Sequence, residues 1–202
     1  MATSMLHTDR LALTPADPYL TPQTPASLVQ RLREIGFAAD ALASASATYL
    51  LGKRFMQLVG FVGCSPHIRL EPNPAGEPFC HLILSGPSPQ PRFIKGQNTT
   101  PPHCGRCQKR VTDWESLMQA WENDPDRPPV TCPHCGQTQH PANFNWRQSA
   151  GCGRFMLFVE NIFPREAVPT AELLSQLQSL TQNRPWRYFY IQDHPRPEER
   201  IV

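Results

Sequence analysis

The spacing of apolar residues predicts the first helix of the chain. Leu28, Leu32 and Ile35 recur at helical spacing and would lie on one face. Thr24 precedes them as a helix cap, a proline occupies the first helical position, and a glycine follows the last apolar residue. These features predict a helix over about 25–35. The Ala- and Ser-rich stretch that follows, 38–48, favours a second helix.

Short apolar or alternating runs predict strands in the next part of the chain. Each run is bounded by proline, glycine or serine, which commonly end strands. The predicted strands are 55–62, 67–71, 79–84 and 92–95. Consecutive strands joined by short turns are typical of an antiparallel meander, and we therefore predict a mostly antiparallel sheet.

A strand, a helix and a strand are predicted near the end of the chain. The apolar run 154–163 favours a strand, and the aromatic-rich run 186–192 favours another. Between them, Thr170 can cap a helix over about 170–182, whose leucines recur on one face. These three elements predict a β-α-β unit.

The order of these elements predicts an α+β fold in which two or three helices pack on the sheet. Residues 24–98 and 151–192 would form this α+β domain, interrupted by an inserted module over 99–150. Residues 1–23 contain several prolines and threonines and few large apolar side chains, which predicts a flexible arm. The charged segment 193–202 is predicted to be a frayed tail.

Composition and charge restrict the class of protein. Of 202 residues, 40% are hydrophobic, which is enough for one core, and the formal charge of +2 points to neither nucleic acid nor an acidic membrane. The first ten residues lack the pattern of a signal peptide, and no apolar run is long enough to cross a bilayer. The seven cysteines fit a reducing compartment better than a disulfide framework. We therefore expect a cytoplasmic protein.

Two cysteine pairs inside the inserted module have the spacing of a metal site. Cys104 and Cys107 form one Cys-x-x-Cys pair, Cys132 and Cys135 form the other, and 24 residues separate the pairs. Two tight turns of this kind can direct four thiolates at one point, a tetrahedral donor set that suits zinc. We predict one structural zinc ion held by these four residues. His103, His134 and His140 flank the pairs and could replace a cysteine as ligand, but with four cysteines available we expect each to lie beside the site or on the surface.

The second pair continues as Cys-Pro-His-Cys-Gly, in which Gly136 permits a left-handed turn. Gln108 takes the equivalent place after the first pair and suits that turn less well. In these residues the module resembles the zinc-ribbon family, whose turns often read CPxCG. The resemblance implies a structural zinc with the four cysteines as ligands. Zinc ribbons occur in nucleic-acid-binding proteins, in adaptors and as struts in enzymes, so the resemblance does not select a function.

A short amphipathic helix is predicted between the two cysteine pairs. Thr112 and Glu115 have the spacing of a capping box. The apolar face that follows holds Trp114, Leu117, Met118 and Trp121. This face either packs on the sheet or the module, or forms an exposed ridge that binds a partner, since tryptophan is enriched at interface hot spots.

Three further cysteines have no assigned role. Cys64 and His67 lie in one predicted turn and could form a nucleophile and its base, but a third, orienting group is not identifiable. Cys80 falls in a predicted strand and Cys152 lies just before another, positions where a small buried cysteine is common.

The sequence therefore favours a non-catalytic zinc-containing adaptor or accessory protein that binds another protein. A closed four-cysteine site argues against a catalytic metal, which needs an open coordination position. Two alternatives remain. One is a nucleic-acid-associated zinc-ribbon protein, although basic and acidic residues balance within the module. The other is an enzyme with a pocket near Cys64 and His67.

Overall fold

The computed structural model describes residues 9–22, 24–43, 45–62, 68–124, 126–162 and 166–193. Within these ranges the strands are β1 (Asp9–Pro15), β2 (Ala38–Ala41), β3 (Thr48–Leu51), β4 (Val59–Phe61), β5 (His81–Ser85), β6 (Arg92–Lys95), β7 (Val130–Thr131), β8 (Thr138–Gln139), β9 (Ala150–Gly153), β10 (Met156–Glu160), β11 (Ala167–Pro169) and β12 (Trp186–Gln192). The helices are α1 (Pro25–Glu34), α2 (Phe55–Leu58), α3 (Trp114–Asn123) and α4 (Ala171–Ser179), with a short 3₁₀ helix at Pro141–Asn143. The predicted α+β class is confirmed.

Six strands form one antiparallel sheet in the order β12-β1-β10-β5-β3-β2. The predicted antiparallel sheet is therefore confirmed. Strand β1 pairs antiparallel with both β10 and β12, so those two strands run parallel to each other with β1 between them. Helix α4 connects them along the chain, which gives the predicted β-α-β unit with a strand from the other end of the sequence inserted into it.

The prediction of a flexible arm over 1–23 is wrong for the segment that forms β1. Leu11 pairs with Val159 on one side and with Tyr190 on the other, so this strand lies inside the sheet. Leu11 and Leu13 are fully buried. The prolines that suggested an arm begin only at Pro15, the last residue of the strand, where a missing N–H interrupts no further pairing.

Both capped helices form as predicted. The Thr24 hydroxyl accepts a hydrogen bond from the Ser27 N–H at 3.0 Å, and helix α1 begins at the next residue, a proline. The Thr170 hydroxyl accepts one from the Leu173 N–H at 3.3 Å at the start of α4. In each case a threonine satisfies one of the free N–H groups of the first helical turn, which explains why the cap residues located these helices in the sequence.

Three local predictions are wrong. The stretch 38–48 contains strand β2 and the start of β3, which pair antiparallel, rather than a helix. The run 55–62 begins with helix α2 and only its second half is the strand β4, which pairs with β11. Residues 68–71 form no strand, and residue 67 lies outside the described residues. A short apolar run fits either secondary structure, so tertiary packing decides.

The sheet has a different layer on each face. On one face, the alternate residues Leu157 and Val159 of β10 share a core with α1, α2 and α4. On the other face, Met156 and Phe158 form a smaller core that Ile94 of β6 joins. Because successive side chains of a strand point to opposite faces, the fold has three layers: helices, the six-stranded sheet, and a ribbon formed by β6 and β9.

The β6–β9 ribbon carries the four-cysteine module. Arg92 of β6 lies opposite Gly153 of β9, and Lys95 lies opposite Ala150. The chain therefore leaves for the module on one strand and returns on its antiparallel neighbour. A separate core cluster fills the module and extends into the ribbon through Phe93.

Candidate metal centre

The first cysteine pair lies on a tight turn at residues 104–108. The Gln108 N–H donates to the Cys104 carbonyl at 3.0 Å, and the Cys104 N–H donates to the Lys109 carbonyl at 3.0 Å. Gln108 has a φ of 58°, in the left-handed region. His103 and Arg110 form a β-bridge that closes the base of the turn.

The second cysteine pair repeats this turn at residues 132–136. The Gly136 N–H donates to the Cys132 carbonyl at 3.0 Å, and the Cys132 N–H donates to the Gln137 carbonyl at 2.9 Å. Gly136 has a φ of 68°. Strands β7 and β8 pair on either side, so this turn is the tip of a small hairpin.

The two turns bring the four sulfur atoms together. All four Sγ atoms lie within 4.8 Å of one another. Across the two turns, Cys104 Sγ is 3.8 Å from Cys135 Sγ, and Cys107 Sγ is 3.9 Å from Cys132 Sγ. A tetrahedron with metal–sulfur bonds of about 2.3 Å has edges of about 3.8 Å. The four cysteines can therefore hold one metal ion.

The sulfur atoms differ in their surroundings. Cys104 and Cys132 are buried, whereas Cys107 and Cys135 are partly exposed. Cys104 Sγ accepts hydrogen bonds from the Arg106 N–H at 3.4 Å and from Gln139 Nε2 at 3.9 Å. Donors directed at one sulfur stabilise its thiolate form, so the protein contributes part of the charge compensation that a thiolate ligand needs.

The pKa values within this cage diverge. The backbone N–H of Cys107, with that of Arg106, lowers the pKa of Cys104 to about 7 against the opposing effect of burial. The N–H of Gln137 also lowers the pKa of Cys135, but burial and the three neighbouring thiols together raise it to about 11. Four thiolates this close repel one another, so a cation is required for all of them to be ionised.

The aromatic face of α3 lies inside the module. Trp114, Met118 and Trp121 are buried in its core, and Leu117 packs against them while partly exposed. The interpretation of this face as an exposed partner-binding ridge is therefore wrong for Trp114, Met118 and Trp121, because these side chains are already covered by the module. The guanidinium of Arg127 lies 4.8 Å from the Trp121 ring centroid and covers it further.

The start of α3 also differs from the prediction. The residue before the helix is Asp113, and no side chain makes a capping hydrogen bond there. The capping box of Thr112 and Glu115 is thus not formed. Packing fixes this end of the helix instead, since the Trp114 ring meets the Trp146 ring edge-on at 5.5 Å.

The three histidines that flank the pairs have other contacts. A ring nitrogen of His134 lies 2.8 Å from the Arg110 carbonyl, and one of His103 lies 3.0 Å from Arg147 Nη2. His140 Nδ1 accepts the Ala142 N–H at 3.1 Å. Burial lowers the pKa of His140 to about 4 although Asp17 opposes the shift. Among the described residues, the group that can hold a metal ion consists of the four cysteines.

The remaining cysteines lie apart from this cage. Cys80 is buried in the main core, and burial followed by the charge of Glu160 raises the pKa of its thiol to about 12. Cys152 is buried in the module core, where burial raises its pKa. A raised pKa keeps a thiol protonated and unreactive. Cys64 and His67 lie outside the described residues.

Backbone and side-chain hydrogen bonds that the sequence does not predict join the module to the edge of the sheet. The Asn98 side chain donates to the Tyr190 carbonyl at 2.8 Å, and the Tyr190 N–H donates to the Gln148 carbonyl at 2.9 Å. The Gln97 N–H donates to the Gln192 carbonyl at 2.7 Å. These bonds cover the outer edge of β12. In the sequence this region shows only a cluster of glycine and polar residues at 96–100, which predicts a loop and no particular contact.

Comparison of the chain with protein-family models, with curated proteins and with solved structures finds no match. Every helix in the described part of the chain is too short or too polar to cross a membrane.

Proposed function

We propose that the four cysteines bind one zinc ion and that this ion is structural. What supports zinc is the donor set of four thiolates together with sulfur–sulfur distances of 3.8 and 3.9 Å across the cage. Four protein ligands complete a tetrahedral shell and leave no position for water or substrate. The paired turns, each with a left-handed residue after the second cysteine, also support the resemblance to zinc ribbons.

The zinc would act by folding the module. The cage joins two turns that are far apart in the sequence, and its two buried members, Cys104 and Cys132, belong to the module core. That core also contains the tryptophans of α3. Binding energy at such a site is folding energy, so the ion would hold the module in the shape that covers the sheet edge.

On this basis the chain is a non-catalytic accessory protein that acts by binding another protein. The observation that carries this proposal is the closed cage, because it gives the metal a structural rather than a chemical use. Two exposed apolar side chains offer contact surface: Val62 is 69% exposed and Met56 is 44% exposed. The unpaired thiols of Cys80 and Cys152 fit a reducing compartment, and we expect the protein to work in the cytoplasm.

Affinity co-purification from the native cell, read by quantitative mass spectrometry, tests this function. The bait is the intact chain, compared with a Met56→Lys, Val62→Lys double variant. Gln57→Lys is the matched control, since Gln57 is an exposed neighbour on the same helix. We expect a stoichiometric protein partner that the control retains and that the double variant loses at least tenfold.

Other outcomes would overturn this proposal. If the chain instead shifts RNA or DNA in a gel with a steep dependence on salt, the nucleic-acid alternative is correct. A partner bound equally by all three baits would overturn only the placement of the interface at Met56 and Val62. Recovery of the chain alone, without a stoichiometric partner, would contradict the accessory role and would return attention to the pair Cys64 and His67.

A further inference from the structure

A cavity of about 480 Å³ lies where the module meets the edge of the sheet. Thr14 of β1 and Trp186 and Tyr188 of β12 line it from the sheet, and residues 142–148 and 150–152 line it from the module and strand β9. This volume falls within the range of about 300–1,000 Å³ that is usual for small-molecule sites. The cavity is distinct from the metal cage, whose four cysteines do not line it.

Two guanidinium groups give this cavity a positive charge. Arg147 and Arg187 both line it, and the lining contains no aspartate or glutamate. Arg187 donates to the Ala142 carbonyl, and Arg147 Nη2 lies 3.0 Å from His103 Nε2. These contacts position the side chains but leave their charges uncompensated. Among the described residues, neither arginine forms an ion pair.

Arg147 lies at the cavity in a turn whose backbone conformation is unfavourable. Arg147 and Gln148 have φ values of 50° and 59°, the left-handed region that turns of this type normally fill with asparagine or glycine. The Ser149 N–H closes the turn by donating to the Trp146 carbonyl at 3.0 Å. The Arg147 N–H donates to the Asn145 side chain at 3.0 Å. Strain of this kind persists only where surrounding contacts impose it, and it concentrates at binding sites.

We propose that this cavity binds a small organic anion that carries a carboxylate or phosphate group on an apolar body. A guanidinium presents a planar fork of donors that matches either oxyanion, and two such groups with no competing carboxylate favour an anion over a neutral ligand. Apolar lining from Ala142, Phe144 and Leu174 accommodates the body of the ligand. The inference does not depend on a protein partner, since it uses only the cavity.

The four tryptophans provide a test with an internal control. Trp146 and Trp186 line the cavity, whereas Trp114 and Trp121 do not. The intact, zinc-saturated chain labelled with ¹⁵N-tryptophan is titrated with benzoate, phenyl phosphate and the neutral benzamide. We expect the indole signals of Trp146 and Trp186 to shift with at least one of the two anions and to shift far less with benzamide. The anion that binds more tightly identifies the oxyanion.

Substitutions then assign the contacts. Arg147→Gln and Arg187→Gln should each raise the dissociation constant of the bound anion at least tenfold. Arg184→Gln is the matched control, because Arg184 is exposed near the start of β12 and does not line the cavity. Arg187→Lys keeps the positive charge but not the guanidinium that donates to the Ala142 carbonyl. It therefore separates the effect of losing the charge from the effect of losing that contact. Unchanged indole signals of Trp114 and Trp121 in the free variants confirm that the module remains folded.

The proposal fails on any of three results. Neither anion shifts Trp146 and Trp186, or benzamide binds as tightly as benzoate, or Arg184→Gln weakens binding as much as the two cavity variants. The first result excludes a site for this class of anion, and the other two exclude recognition of charge by Arg147 and Arg187. None of them bears on the co-purification experiment, so the two proposals fail separately.

Discussion

Gln108 and Gly136 hold the same backbone position in the two cysteine turns. Each follows the second cysteine of its pair, each has a left-handed φ, and each donates its N–H to the carbonyl of the first cysteine at 3.0 Å. Glycine adopts this conformation without the steric cost that a Cβ atom adds. Gln108 bears that cost, which its side-chain hydrogen bond to the Gly105 carbonyl offsets in part.

Substitutions at these two positions should therefore change the free energy of unfolding in opposite directions. Gly136→Ala should lower the free energy of unfolding by about 1 kcal/mol, because a Cβ there meets no neighbour within 4 Å and the cost is purely conformational. Gln108→Gly should raise it by about 0.5–1 kcal/mol. Urea unfolding of the zinc-saturated proteins measures both. A change of the same sign in both variants would contradict the equivalence of the two turns.

Gly151 of β9 packs closely against Phe189 of β12, where the ribbon meets the sheet. A Cβ atom added at Gly151 would lie 2.3 Å from Phe189 Cε1. Gly151→Ala should therefore destabilise the protein by about 1–3 kcal/mol, the usual cost of overpacking a core. Gly60→Ala is the control, since its nearest contact would be the Val168 carbonyl at 3.7 Å. Thermal unfolding compares the two, and an equal loss in both would refute close packing of β9 on β12.

How much of this arrangement the sequence could predict depends on the range of the interaction. The Thr24 and Thr170 caps and the cysteine turns are local, and they fold as their residues indicate. Strand β1 was missed because its neighbours, β10 and β12, lie more than 140 residues further along the chain. The helix α3 was found, but burial of its face depended on Trp146, which reaches it only through the return of the chain.

His140 should make stability depend on pH below neutrality. Its pKa is about 4 in the folded protein against an ordinary value near 6.5, mainly because of burial. As the pH falls from 6.5 towards 4, the unfolded chain takes up a proton that the folded protein does not, so this residue lowers stability in that window. His140→Asn keeps an acceptor for the Ala142 N–H and does not titrate.

Between pH 7 and pH 5.5 the wild-type protein should lose about 0.5–1 kcal/mol more stability than His140→Asn, after allowance for the partial exposure of the ring. Urea unfolding with excess zinc at both pH values gives this difference. Parallel loss in the two proteins would show that His140 has an ordinary pKa.

Cys132→Ser should remove the metal and unfold the module. A buried ligand is lost and three thiols remain, so the core that contains Trp114, Trp121 and Trp146 loses its cross-link. Cys152→Ser is the matched control, because Cys152 lies in the same buried cluster but outside the cage. Metal content and near-ultraviolet circular dichroism report the two effects. Equal metal loss in both variants, or a full metal complement in Cys132→Ser, would contradict the ligand assignment.

We propose that four thiolates hold one zinc ion. X-ray absorption at the zinc edge of the purified chain, with its metal content determined on the same sample, tests this ligand set. We expect one zinc per chain with four sulfur neighbours at about 2.3 Å and no nitrogen or oxygen ligand. A different metal, a substoichiometric content that added zinc does not raise, or a nitrogen or oxygen atom in the first coordination shell would contradict it.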